Sequence, residues 1–330
     1  MNQQLLTRLF RSIEGSKNST LVKVANSIIE SEKKKGHTKL AHKLELILKD
    51  QIIDSETNGF QLAKTKVYRM PVDRRHRLPL ATHVEHDLLR HHMILSQDLK
   101  SKIERIEKEY LARERLASHN LKPRTKVLFH GPSGCGKSMA AEKIAWNLGL
   151  PFYKVRFDTI ISSYLGESAT NLHSLFESIK EYPCVLLLDE FDIIAQKRES
   201  GKSDVGEMHR IVNILLGLLE EYDGAGIIIA TTNLEGSLDN ALFRRFDDII
   251  EMTRPTVKSI EDVLEMSFSA LDLSKEVDLK DLASKMKNLS YAIIVKVARD
   301  AAKNAIVATR KVITKADIDN SLKENRALNK

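Results

Sequence analysis

The chain has 330 residues, 42% hydrophobic and 29% charged, an ordinary balance for a soluble globular protein and enough length for two or three domains. No apolar run approaches membrane-spanning length, and the two cysteines, Cys135 and Cys184, are no disulfide framework, so a cytoplasmic protein without membrane partners is expected. The net charge of +7 is uneven: residues 1–100 carry 18 Lys/Arg against 11 Asp/Glu, and residues 101–330 carry 34 of each.

The first ten residues, MNQQLLTRLF, lack a long apolar stretch and a small-residue cleavage site, and read as mature sequence. Residues 1–54 read as an N-terminal helical bundle. Leu5, Leu6, Leu9, Phe10 and Ile13 recur at helical spacing, as do Leu21, Val22, Val24, Ala25, Ile28 and Ile29, and then Leu40, Leu44, Ile47 and Leu48, with Gly15 and Gly36 between the segments. Such an appended bundle is expected to bind something rather than to catalyse.

Residues 55–97 read as a basic linker and helix. Pro71, Pro79 and a dense arginine run suit extended chain, and His83, His86, His91 and His92 are expected on a helix. Their i, i+3 spacing could serve a metal, but no cysteine or well-placed acid completes the set, so surface histidines are the preferred reading. Residues 98–118 form a charged helix buried along Leu99, Ile103, Ile106 and Tyr110.

From Lys122 the rhythm becomes strand, helix, strand. Strands are expected at 127–129, 152–157, 185–188, 227–230 and 249–252, with helices between the first four. This predicts an α/β domain over 98–255, a parallel sheet with helices on both faces. After Pro255 no strand signal remains. Four helices, at 257–271, 278–287, 290–309 and 315–325, predict a small all-α domain over 256–330, with Leu282, Met286, Ile293, Val297 and Ile306 in its core.

Two motifs carry chemistry. Gly131-Pro132-Ser133-Gly134-Cys135-Gly136-Lys137-Ser138 has the form G-x-x-x-x-G-K-S between an apolar strand and a helix. Its glycines allow successive N–H groups to turn onto a phosphate at the positive end of the helix dipole; Lys137 would neutralise β/γ-phosphate charge and the Ser138 hydroxyl would ligate Mg2+. About 50 residues on, the strand Cys184-Val185-Leu186-Leu187-Leu188 ends in Asp189-Glu190. Asp189 would hold the Mg2+ shell, and Glu190 would orient and polarise an attacking water.

These motifs, with Ala230-Thr231-Thr232-Asn233 and Arg244-Arg245-Phe246-Asp247 in the same order and spacing, resemble the AAA ATPase family, the group that includes katanin, spastin and the proteasomal ATPases. The resemblance runs from about residue 100 to the end. It implies a P-loop NTPase fold with a C-terminal helical lid, and a catalytic set of Glu190, Asn233, Arg244 and Arg245. Asn233 matches the polar sensor that holds the water against the γ-phosphate. Arg244 and Arg245 match fingers that reach a neighbouring protomer's nucleotide, and their individual assignment stays open because the usual Pro-Gly between them is absent. Tyr164-Leu165-Gly166 resembles a pore loop that grips extended polypeptide, and residues 198–207 would be a second. Ser290-Tyr291-Ala292 stands where other branches place a lid arginine.

The resemblance therefore implies an ATP hydrolase using ATP and Mg2+, a homo-hexamer that pulls a client polypeptide, with a separate protease or adaptor as partner. The alternative from another class is a nucleic-acid-associated ATPase or adaptor using the basic first hundred residues.

Overall fold

A computed structural model describes residues 25, 28, 29, 41, 44, 70–73, 77–161, 167–180, 182–191, 205–233 and 243–327. The chain divides into two units, Met1–Lys66 and Val67–Lys330. In the first, Ala25, Ile28, Ile29, Ala41 and Leu44 are helical, and all but Ile28 are buried.

The second unit is built on a six-stranded sheet. Its strands are β1 (Ala81–Val84), β2 (Lys126–His130), β3 (Phe152–Val155), β4 (Val185–Leu188), β5 (Ile227–Thr232) and β6 (Asp248–Glu251). The spatial order is β1-β3-β4-β5-β2-β6, every pairing parallel except β1 with β3.

Between and before the strands lie α1 (Gln97–Leu111), α2 (Arg113–Ala117), α3 (Lys137–Leu148), α4 (Phe157–Ile160), α5 (Glu167–Lys180) and α6 (Val205–Glu221). The central strands carry continuous apolar runs, Val127–Phe129, Val185–Leu188 and Ile227–Ala230, because helices cover both faces, and the two-residue alternation sorts the side chains. Val127, Phe129, Val185, Leu187, Ile227 and Ile229 pack with Leu99, Ile103, Ile106 and Tyr110 of α1 and Ala140 and Ile144 of α3. Leu128, Leu186, Leu188, Ile228 and Ala230 face the other way, onto Leu172, Leu175, Phe176 and Ile179 of α5 and Leu215, Leu218 and Leu219 of α6. Each fully buried Leu or Ile contributes about 1.5–3 kcal/mol relative to exposure.

Register aligns the functional ends of the strands. His130 pairs with Thr232 and Leu188 with Ala230. Gly131 therefore emerges level with Asn233, and Asp189 level with Thr231. All four leave the same edge of the sheet, where ligands bind in open α/β folds.

Within the stretch 55–97, expected as basic linker and helix, Ala81–Val84 instead form a strand of this sheet, with a turn ahead of them. Asp73 N–H donates to Leu78 O at 2.8 Å and Leu80 N–H to Pro71 O at 3.0 Å, closing a turn in which Val72 bridges Pro79. Both prolines stand at the margin of the sheet, where a missing N–H is tolerated. The chain then enters β1, an antiparallel edge strand four residues long. His83 lies in β1, His86 in a single 3-10 turn and His91 and His92 in chain without regular secondary structure, so the expected histidine helix is absent. Thr82 and His83 interrupt the apolar pattern of these four residues, and pairing with β3 makes them a strand.

The lid comprises α7 (Val257–Ser267), α8 (Leu279–Lys285), α9 (Tyr291–Val307) and α10 (Lys315–Ala327). It also holds a two-residue parallel pair that was not expected, β7 (Asp272–Leu273) with β8 (Val312–Ile313). Thr256 caps α7 and Asp278 caps α8 by accepting from backbone N–H groups of the first turn. Leu282, Met286 and Val297 are buried in the lid core and Ile293 packs against it, but Ile306 is 61% exposed. The buried stripe of α9 runs through Ile294, Val297, Ala298, Ala301 and Ala305, and Ile306 lies about 100° around the helix from Ala305.

Candidate nucleotide site

The loop between β2 and α3 is shaped by close approaches that admit no Cβ. Gly131 has φ +132°, and a Cβ there would lie 2.3 Å from the Met252 carbonyl oxygen at the end of β6. Gly134 has φ +73°, and a Cβ would lie 2.7 Å from Ser290 Oγ and 3.0 Å from Ala292 Cβ. The loop thus rests on both the sheet and the lid. Ala292 N–H donates to Gly134 O at 3.1 Å, which ties the start of α9 to the loop. Motion of the lid would therefore be felt at the phosphate position.

Lys137 is buried. Its Nζ donates to Gly131 O at 2.6 Å, Pro132 O at 2.8 Å and Asn233 Oδ1 at 2.8 Å. The structure thereby joins the loop lysine to the asparagine 96 residues away. Ser138 Oγ donates to Asp189 Oδ1 at 2.6 Å, and Thr231 Oγ1 to the same oxygen at 2.7 Å. Lys154 Nζ donates to Asp189 Oδ2 at 2.6 Å. Burial pushes the Asp189 carboxyl upward, but the hydrogen bonds from Lys154, Ser138 and Thr231 and the nearby Lys154 charge outweigh it and hold the group below the usual carboxylate range.

A hydroxyl and an ionised carboxylate oxygen 2.6 Å apart are a hard donor set that suits Mg2+, which binds through one or two such groups while the remaining positions go to water and phosphate. Ser138 and Asp189 are the residues that could hold it.

Glu190 is exposed and adopts φ +53°, a left-handed conformation that costs a non-glycine residue about 1 kcal/mol or more. Two bonds to Thr231 impose it: Glu190 N–H donates to Thr231 Oγ1 at 3.0 Å and Phe191 N–H to Thr231 O at 2.9 Å. The turn leaves the Glu190 carboxylate accessible beside Asp189.

Arg244 and Arg245 are not brought to this site. They line a recess with Lys126, Glu220 and Asp247. Lys126 N–H donates to Asp247 Oδ2 at 2.9 Å, which places the recess at the opposite ends of β2 and β6. The five residues of β2 separate the two regions by about 17 Å. Arg244 is exposed, whereas Arg245 is half-buried with Nε 3.3 Å from Glu220 Oε2. Tyr164, Leu165 and Gly166 lie outside the described residues, as does most of 198–207.

Sequence reasoning missed Thr231 and Lys154 as partners of Asp189. A lysine within the short strand Phe-Tyr-Lys-Val was the available signal for Lys154; Thr231 carried none beyond its place in a motif. A strap before α1 was missed too. Arg90 donates its backbone N–H to Glu142 Oε2 at 2.8 Å and its Nε at 2.9 Å, and its Nη2 pairs with Oε1. His86 and His91 both stack on Trp146, with ring centroids 4.1 and 3.8 Å away. Both are half-buried, so the surface-histidine reading holds only in part. Among the described residues no group of three or more histidines, cysteines and acids could hold a metal, and no helix is long and apolar enough to cross a membrane.

A sequence model of the ATPase family associated with various cellular activities (AAA) matches residues 127–254. The chain is 34% identical over 301 residues to an uncharacterized AAA family ATPase of Sinorhizobium fredii, covering 91% of this chain and 89% of that protein. It is 30% identical over 233 residues to proteasome-activating nucleotidase 2 of Halobacterium salinarum, covering 69% of this chain and 57% of the relative. A katanin p60 ATPase-containing protein of Sorex araneus is 34% identical over 222 residues, which are 63% of this chain and 43% of that protein. The chain thus spans about half the length of these last two relatives.

Proposed function

This chain belongs to the AAA family of ATPases and hydrolyses ATP, and from that premise we propose that it works as a ring, a hexamer of identical copies, that remodels or unfolds a client polypeptide. The observation that carries the ring is the separation of about 17 Å between the phosphate loop and Arg244 and Arg245 along one strand. An arginine side chain cannot cover that distance, so the arginines serve a second copy's nucleotide.

In this reading the loop N–H groups and Lys137 bind the phosphates. Ser138 and Asp189 would hold Mg2+, which when bound would supply positive charge against that of the phosphates. Glu190 polarises a water that attacks the γ-phosphorus, the water's proton passing to the carboxylate as the bond to the bridging oxygen breaks and ADP leaves. Asn233, already on Lys137, orients that water, and Thr231 holds Glu190 in its raised turn. The partner copy's Arg244 balances charge developing on the transferred group, an effect worth roughly 10³ to 10⁵ in rate.

Tyr164, Leu165 and Gly166 would grip the client by stacking and apolar contact. The name of one relative, a proteasome-activating nucleotidase, supports work on protein substrates, with a separate protease or adaptor as partner. The nucleic-acid alternative rests on the N-terminal charge, and Arg90, one of those cations, is already engaged by Glu142.

Glu190→Gln should bind ATP and hold it unhydrolysed, retaining client for identification; wild-type turnover in that variant removes Glu190 from its role. Mixing Arg244→Ala with Lys137→Ala chains should restore some turnover, because one interface of a mixed ring has both groups intact. No recovery at any ratio would end the trans arrangement. Unfolded protein should stimulate wild-type turnover and not that of Tyr164→Ala, while salt-sensitive DNA or RNA binding by the full chain would favour the alternative.

A further inference from the structure

One cation at the site has no part in the reaction described above. Lys154 is the third residue of β3, its backbone paired with Thr82 on one side and Leu187 on the other. Strand alternation puts its side chain on the same face as Leu187 and Asp189, the face that carries α3. There its ammonium lies 2.6 Å from Asp189 Oδ2.

We propose that Lys154 is an exchangeable counter-ion of Asp189 that competes with Mg2+, and so sets the metal concentration at which nucleotide is loaded. This rests on the assignment of Asp189 to the metal.

The three donors on Asp189 are not equivalent. Ser138 and Thr231 reach Oδ1 on short side chains held by a helix terminus and a central strand. Lys154 reaches Oδ2 on a four-carbon stem that is 51% exposed, whereas Asp189 is only 14% exposed. The lysine can therefore leave by rotation of its own side chain, with no movement of the sheet. A carboxylate with only about four acceptor positions, three of them taken, cannot take up a divalent ion beside an ammonium without strong like-charge repulsion. Arg90, another cation whose charge is felt at Asp189, is committed to Glu142. Lys154 is thus the group that must yield when the metal arrives.

The test is a Mg2+ titration of fluorescent ATP-analogue binding to the full chain, comparing wild type, Lys154→Met, Lys154→Gln and Lys154→Arg. Removing the charge should lower the half-saturating Mg2+ concentration by about three- to tenfold, the scale set by a half-exposed charged hydrogen bond that no longer has to be broken. Lys154→Arg should stay near wild type, and binding at saturating Mg2+ should be unchanged in all four. An unchanged or raised Mg2+ requirement in both neutral variants overturns the proposal; a raised one would make Lys154 a support for the metal site. Asp189→Asn is the control for the underlying reading. If it leaves the Mg2+ dependence intact, the metal assignment itself is wrong. If it abolishes that dependence while the neutral lysine variants titrate like wild type, only the role of Lys154 falls.

Discussion

The two edges of the central sheet are finished to different degrees. At the edge where β2, β4 and β5 end, Lys137, Ser138, Asp189, Thr231 and Asn233 already touch one another at 2.6–2.8 Å. At the other edge, Arg244 and Arg245 sit beside Lys126, Glu220 and Asp247, with no phosphate-binding loop within reach. One edge is assembled within a single chain, and the other offers charge to something outside it. In the proposed ring, phosphate binding and charge stabilisation are separable, the second requiring another copy.

The sharpest way to break that contrast is Arg244→Ala, which should retain ATP-analogue binding and lose about 10³-fold or more in turnover. Near-normal turnover would mean that the exposed arginine serves nothing. Arg245→Ala should cost less, since its Nε already faces Glu220 in its own chain; a loss equal to that of Arg244→Ala would give both arginines the same task.

Asn233→Ala sharpens the other edge. It removes the side-chain acceptor on Lys137, and turnover should fall by about 10²-fold. Steady-state hydrolysis and analogue binding together separate this from a simple loss of affinity.

A smaller effect is expected where the strap meets α3. Glu142 is only 10% exposed, and Glu142→Gln weakens every bond from Arg90. The cost should be about 1–3 kcal/mol of stability, or about 2–4 °C in melting temperature per kcal/mol, with turnover little altered at low temperature. An unchanged melting curve would show that the strap is held mainly by the stacking on Trp146.

The smallest effect concerns acid. The Asp189 carboxyl is held below its ordinary value in the folded protein, so its contribution to stability is complete above the unfolded value of about 3.9 and is lost as pH falls through the lower folded value. Melting temperature measured from neutral pH down into that range should fall, and Asp189→Asn should remove part of the fall.

Much of the candidate site could be read from local order, because a phosphate loop is a run of eight residues and the acids close a single apolar strand. Their partners could not. Thr231 lies 42 residues from Asp189 and Lys154 lies 35 away, and each meets it only because adjacent parallel strands end in register. The edge strand β1 escaped notice because His83 and Thr82 interrupt its apolar pattern, and its antiparallel partner is more than 65 residues on. Ile306 misled in the opposite sense, an apolar residue on the open side of α9.

By itself, then, the sequence determined the family, the alternation of strands and helices, and the glycine loop that joins β2 to α3, since each is written in contiguous spacing and backbone preference. Only the tertiary structure decided what surrounds Asp189, how the lid touches Gly134, and that Arg244 and Arg245 face away from their own phosphate loop. Those are facts about which strand ends lie side by side, and the physical reason they escape the sequence is that strand order and register come from packing both faces of the sheet at once.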